Sequence, residues 1–181
     1  MTTTKEKHAL DPESVARVSP WMEAAVRLKE EHQLLRDRIV RIQTCARSIY
    51  AELDPERSRI ILEVLQLRME DFMSQLHKHS EWEEKEVFPV IEIYNRRMFK
   101  PSITPSIWVM EKDHELADLF VASFNETVDA LPMVCSVELA RKAAANLDQA
   151  CLILLEHLEL EEELIFPLAD ELLTDIDYFY S

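Results

Sequence analysis

The stretch His79-Ser-Glu-Trp-Glu-Glu-Lys-Glu-Val-Phe-Pro89 decides how this chain is read. His79 and Glu83 stand four positions apart, a spacing that places both side chains on one face of a helix. The residues that share this face are Leu62, Leu65, Met69, Phe72, Leu76, Val87 and Val90. Apolar residues recurring every three or four positions mark a helix turned toward a core. A glutamate on such a stripe is costly unless it is paired or holds a metal ion.

The stretch recurs as His157-Leu-Glu-Leu-Glu-Glu-Glu-Leu-Ile-Phe-Pro167, with six of eleven positions identical and no gap. Upstream, Glu31-His32-Gln33-Leu34 is echoed by Asp113-His114-Glu115-Leu116. The acidic–His pair precedes the HxxxE by 47 residues in the first half and by 43 in the second. The chain therefore reads as two copies of one helical hairpin. Three further stripes accompany that of the opening stretch. One runs Leu28, His32, Leu35, Ile39, Ile42, Ala46, Ile49. Another runs Ile107, Met110, His114, Ala117, Val121, Phe124, Val128, Leu131, and the last Leu147, Ala150, Leu154, His157, Glu161, Leu164, Leu168. Each of the four stripes holds one histidine.

Helix ends are marked without glycine, of which the 181 residues contain none. A capping side chain before a proline, a common helix start, occurs at Asp11-Pro12, Ser19-Pro20, Asp54-Pro55 and Thr104-Pro105, and Ser136 opens a further helix after Pro132. These marks predict a short helix near 12–18 and four long ones over 20–52, 55–94, 105–130 and 137–173. The expected organisation is an N-terminal extension (1–19), an antiparallel all-α four-helix bundle (20–173) and an aromatic tail (174–181) that could dock on it. Pro89 and Pro167 are expected to kink or end their helices.

Composition narrows the function. Loops that cradle phosphates depend on glycine for close backbone approach, so nucleotide-binding loops of that kind are excluded. With 20 Lys and Arg against 35 Asp and Glu, the net charge is -15, and such a surface repels a phosphate backbone. Cys45, Cys135 and Cys151 are too few and too scattered for a disulfide framework or a CxxC zinc site. The N-terminus has no apolar leader core, and no apolar run is long enough to span a membrane. Neither nucleic acid nor membrane is expected as a partner, and a reducing cytoplasm is the expected location.

The stripe histidines and glutamates carry the chemistry. A single histidine on an apolar face is ordinarily a hydrogen-bonded core residue. Four of them, one per helix, with two stripe glutamates and a repeat, point instead to a metal site built from inward side chains on facing helices. The candidate ligands are His32, His79, Glu83, His114, His157 and Glu161. They exceed what one tetrahedral zinc ion needs. Two ions sharing bridging carboxylates fit better, and mixed imidazole and carboxylate ligation suits iron or manganese. His77 and Glu81 also form an HxxxE pair, but their face is mostly polar, and we read them as surface. Glu31 and Asp113 are placed to orient an imidazole or to face water. Glu111 and Asp118, one turn from His114, are read as facing water, with extra ligation as the alternative. Trp82, Phe88 and Phe166 are read as packing.

Taken together, Glu31-His32, His79-xxx-Glu83 with Phe88-Pro89, Asp113-His114, and His157-xxx-Glu161 with Phe166-Pro167 resemble the haemerythrin-like HHE cation-binding domains over about residues 20–173. The resemblance implies a non-haem di-iron centre bridged by two carboxylates and an oxo or hydroxo group, with manganese or zinc as substitutes. The chain departs from the oxygen carriers of that family. Asp118 stands where they have a further histidine, and Glu161 follows His157 by four positions instead of five. Its four-His, two-Glu set is closer to bacterial di-iron proteins of nitric-oxide stress and iron–sulfur repair, and to iron-sensing relatives. Those repair proteins commonly carry a cysteine-bearing N-terminal domain, whereas no cysteine precedes Cys45 here. A ferritin-like arrangement needs two ExxH motifs, and only Glu111-Lys-Asp-His114 is present. The resemblance implies O2, NO or peroxide as the small partner, in stress response or sensing. The alternative is an iron-responsive interaction module whose fold depends on metal occupancy. A homodimer is left open.

Overall fold

The computed structural model describes residues 12–132 and 136–175, and of 12–19 the backbone alone. Asp11, Cys135 and tail residues 176–181, all singled out above, lie outside the described residues. The elements are α1 (Pro12–Ser48), α2 (Pro55–Trp82), a π-helical turn (Glu83–Val87), α3 (Phe88–Arg97), α4 (Thr104–Asp129) and α5 (Val137–Thr174). No strand occurs among the described residues. No helix among them is long and apolar enough to cross a membrane.

Side-chain pairs define the bundle. Lys29–Asp170, Arg36–Glu162 and Arg47–Asp148 set α1 antiparallel to α5. Arg38–Asp71 and Glu31–His79 do the same for α1 and α2. Gln66–Asp129 and His77–Asp118 align α2 against α4, and His114–His157 and Ser123–Asn146 align α4 against α5. In every set one number rises as the other falls, so the four rods form an antiparallel ring in the order α1, α2, α4, α5.

The helix starts follow from their caps. Asp54 accepts hydrogen bonds from the backbone N–H groups of Glu56 and Arg57, at 3.0 and 3.4 Å, and starts α2. Ser136 accepts from Leu139 N–H at 3.1 Å and starts α5. Two expectations need correction. α1 runs unbroken through Pro20, so the short helix near 12–18 and the long one from 20 are a single element. Thr104 is the first residue of α4, with Ile103 at the cap position, so the Thr-Pro pair sits one place further into the helix than expected. The lack of glycine shows at the end of α3. There Phe99, 98% exposed, takes a positive φ of 55°, in a place that glycine usually fills.

The apolar stripes pack as two separate clusters. One joins Leu35 to Ile49, Leu62 to Leu76, Ala117 to Val128 and Ala140 to Leu158. The other joins Trp21, Leu28, Phe88, Ile91, Tyr94, Met110, Ile165, Ala169 and Leu172. On the rods of α1, α2 and α4 the gap between clusters holds a histidine, on α5 His157 stands at its edge beside Leu158, and Glu83 and Glu161 lie in the gaps of their rods. A polar layer thus crosses the bundle between two apolar ends. On α5 the buried face beyond Glu161 continues through Ile165, Ala169 and Leu172, while Leu164 and Leu168 are half-buried. Four-residue steps from Glu161 keep to the core side of a continuous helix.

Candidate metal centre

His32 comes from α1, His79 from the last turn of α2, Glu83 from the first residue of the π-helical turn, His114 from α4, and His157 and Glu161 from α5. The π-helical turn bears on this placement. It widens the helix at Glu83 and re-registers the backbone ahead of Pro89, whose ring would otherwise meet the carbonyl four residues earlier. In the second half α5 runs through Pro167 to Thr174, so of the two expectations there, a kink or an end, the end does not occur. Helical turns of this wide kind are frequent at functional sites.

The layer is compact. One ligand atom each from His32, His79, Glu83 and Glu161, all four residues buried, lies within 4.8 Å of the other three. His79 Nε2 is 3.0 Å from Glu83 Oε1. His32 Nε2 is 3.4 Å from both Glu83 Oε1 and Glu161 Oε2, which is also 3.4 Å from His157 Nε2. His157 Nε2 faces His114 Nε2 at 2.9 Å. All six candidate ligands therefore meet in one layer, with His114 half-buried and the other five buried.

Electrostatics separates the two carboxylates. Burial alone would raise the pKa of Glu83, but the His32 and His79 imidazoles beside it hold it down to about 2. Glu161 is pushed well above the ordinary carboxylate range, first by burial and then by the negative charge of Glu83 beside it. Among the imidazoles, burial works to lower His79, but Glu83 and Glu31 outweigh it and the net shift is upward. Burial and neighbouring rings push His157 down to about 3, and burial lowers His114 as well. Several buried polar atoms of the layer lack a hydrogen-bond partner: His79 Nε2 and Glu161 Oε2 on its inner side, and His32 Nδ1 and His157 Nδ1 behind it. Unpartnered buried polar atoms are expensive, and lone pairs converging on one place are what a cation would satisfy.

A family model, the haemerythrin HHE cation binding domain, matches residues 24–169. The chain belongs to this family. Neither the curated proteins nor the solved structures yield a match. The family binds cations, and the buried His/Glu cluster is the candidate metal site of this haemerythrin-like domain.

Around the haemerythrin-like layer the chain adds an outer set of groups. The Glu31 carboxylate accepts a 2.8 Å hydrogen bond from His79 Nδ1 and a 2.7 Å bond from Arg27. Burial would raise the pKa of Glu31, yet these two partners keep it below its usual value. An ionised carboxylate can only accept, so the proton of His79 sits on Nδ1 and leaves Nε2 facing the layer. Arg27 lies 4.0 Å above the Trp82 ring. Glu162 Oε1 lies 3.5 Å from His32 Nδ1, and Arg36 holds that carboxylate through both oxygens. Phe166 meets His32 edge-on at 5.0 Å, and Trp82 lies 6.1 Å from His79. A cavity of about 350 Å³, lined by Arg27, Glu31, Leu34, Gln75, Lys78 and His79 among others, reaches this side of the layer.

Glu31 thus does orient an imidazole, but that of His79 on the facing helix. Asp113 makes no such bond; burial and Glu156 raise its pKa. Glu111 and Asp118 are exposed. His77 is 54% exposed and lies 3.6 Å from Asp118, outside the layer. Glu162, Arg36 and Ser80, whose Oγ is 3.5 Å from His114 Nε2, escaped the sequence reading. Their partners lie on other helices, and the only hint was the second glutamate that both HxxxE stretches share.

Proposed function

We propose that this domain holds two iron ions, with His32 and His79 on one, His114 and His157 on the other, and Glu83 and Glu161 bridging them. The observation that carries this reading is the pairing within the layer: two imidazole pairs, one from each half, flank two touching carboxylates. The 2.9 Å between His114 Nε2 and His157 Nε2 suits two nitrogens at right angles on one ion, for bonds of about 2.1 Å. Six nitrogen and oxygen donors without a thiolate favour iron or manganese over a soft metal, with zinc as a substitute. A proton on Glu161 stands in for positive charge between the carboxylates, and two ions would take its place.

Iron with fewer protein ligands than its coordination number keeps a position open to a small ligand and can change oxidation state there. We therefore infer that the domain meets O2, NO or peroxide. Phe166, Trp82 and the two apolar clusters shield the layer from bulk water, and Glu31 holds the Nδ1 proton of His79. The test is metal analysis of the chain expressed in iron-replete medium, with a visible spectrum recorded anaerobically and then titrated with O2 and NO. Two irons per chain and a spectrum that answers to at least one gas are expected. A fully loaded site silent to both would remove the gas-binding part of the reading.

A second reading, an iron-responsive module read by a partner, is favoured by the unpartnered atoms in the layer. Without metal the bundle carries a polar layer of uncompensated lone pairs through its middle, so metal bound only by the folded state adds stability. Limited proteolysis with and without chelator tests it. Faster cleavage of the chelated chain is expected, and equal resistance would count against this reading.

A further inference from the structure

Resting on the two-ion reading, we propose that the two positions are unequal. The His32/His79 position fills first and holds its ion more tightly, and Glu31 is the positioning residue that sets the difference. His79 Nδ1 donates to Glu31 at 2.8 Å, and Glu31 is fixed in turn by Arg27 at 2.7 Å. That guanidinium is anchored over Trp82 at 4.0 Å. On the other ring of this position, Glu162 stands 3.5 Å from His32 Nδ1 and is clamped by Arg36. His79 is thus hydrogen-bonded to an arginine-held carboxylate, while His32 has one beside its Nδ1 without a hydrogen bond to it.

The other position lacks this support. His157 Nδ1 is buried without a partner. Among the described residues no carboxylate pairs with either nitrogen of His114, and the carboxylate that pairs with His157 is Glu161, on the inner face. The repeat explains the difference. Asp113 occupies the place of Glu31 in the second half, with one methylene fewer, and it makes no hydrogen bond to His157. A carboxylate behind a metal-binding imidazole fixes its tautomer and raises its basicity, and losing it costs about 10–100-fold in metal affinity.

The experiment is an anaerobic titration of the metal-free full chain with Co(II), followed by calorimetry and visible absorption. Two steps are expected, the first tighter than the second. His114→Ala should remove the weaker step and leave the tighter one. Glu31→Gln should weaken the tighter step by about 10–100-fold and leave the weaker step where it was. Two equal steps in the wild-type chain would overturn the proposal while leaving the two-ion reading in place. Loss of the tighter step in His114→Ala would overturn it too, as would equal weakening of both steps in Glu31→Gln. A wild-type chain that takes up fewer than two ions would bring down the two-ion reading, and this proposal with it.

Discussion

Glu31 and Asp113 occupy the same place in the two halves of the chain, one residue before a histidine of the layer, and differ by one methylene. Glu31 reaches across to the imidazole on the next helix, and Asp113 stays beside Glu156. The helices that carry the repeated HxxxE differ as well: a π-helical turn begins at Glu83, while α5 passes through Glu161 without one. Duplicated ligands therefore sit in unequal surroundings. Ligand identity is copied by the repeat, whereas the groups behind each ligand depend on side-chain length and on which helix faces which.

The largest expected effect tests what the halves share. If Glu83 and Glu161 both bridge, Glu83→Ala and Glu161→Ala should each lower the metal content from two ions per chain toward one or none, read by metal analysis of the purified protein. Two ions retained in both variants would disprove bridging. A loss in one variant alone would mean that one carboxylate serves a single ion.

The next effect separates the halves by pH in the metal-free protein. His157 is held down to about 3 in the folded chain against an ordinary 6.5. As pH falls through this window the unfolded chain takes up a proton that the folded chain refuses, so stability falls. The slope from this one group is at most about 1.4 kcal/mol per pH unit. His79 is shifted upward from 6.5, so its contribution is fully present below 6.5 and is lost as pH rises through its folded value. In urea unfolding on both sides of pH 6.5, His157→Gln should flatten the loss of stability below 6.5, and His79→Gln should remove the loss that wild type shows as pH rises above 6.5. Equal changes in slope for both variants would erase the electrostatic contrast between the halves.

The smallest expected effect is a control. His77→Ala should leave metal content unchanged, since His77 is exposed and faces Asp118. Metal loss in that variant would mean that the other HxxxE register of α2, His77 with Glu81, belongs to the site.

Much of this was legible in the chain itself. The stripe from Leu28 to Ile49 is buried at every position read from periodicity, because a continuous helix must repeat its core face every three or four residues. His32, His79, Glu83, His157 and Glu161 are buried where the stripes put them, and His114 is half-buried. The misread places have local causes. Ser19-Pro20 looks like a helix start, but proline is also tolerated within a helix where its neighbours accommodate the lost bond, and α1 continues through it. Leu164 and Leu168 are apolar enough to extend a stripe, yet Ile165, Ala169 and Leu172 keep step with Glu161.

By itself the sequence determined that four amphipathic helices, each with a histidine among apolar residues, must bury those histidines together. Only the tertiary structure decided what stands behind each ring. That Glu31 serves His79 and not its neighbour His32, that Glu162 and Arg36 close on His32 from 126 positions apart, and that His157 Nδ1 is left alone are all contacts between helices. Spacing along one helix fixes which side chains share a face, and says nothing of which helix that face will meet.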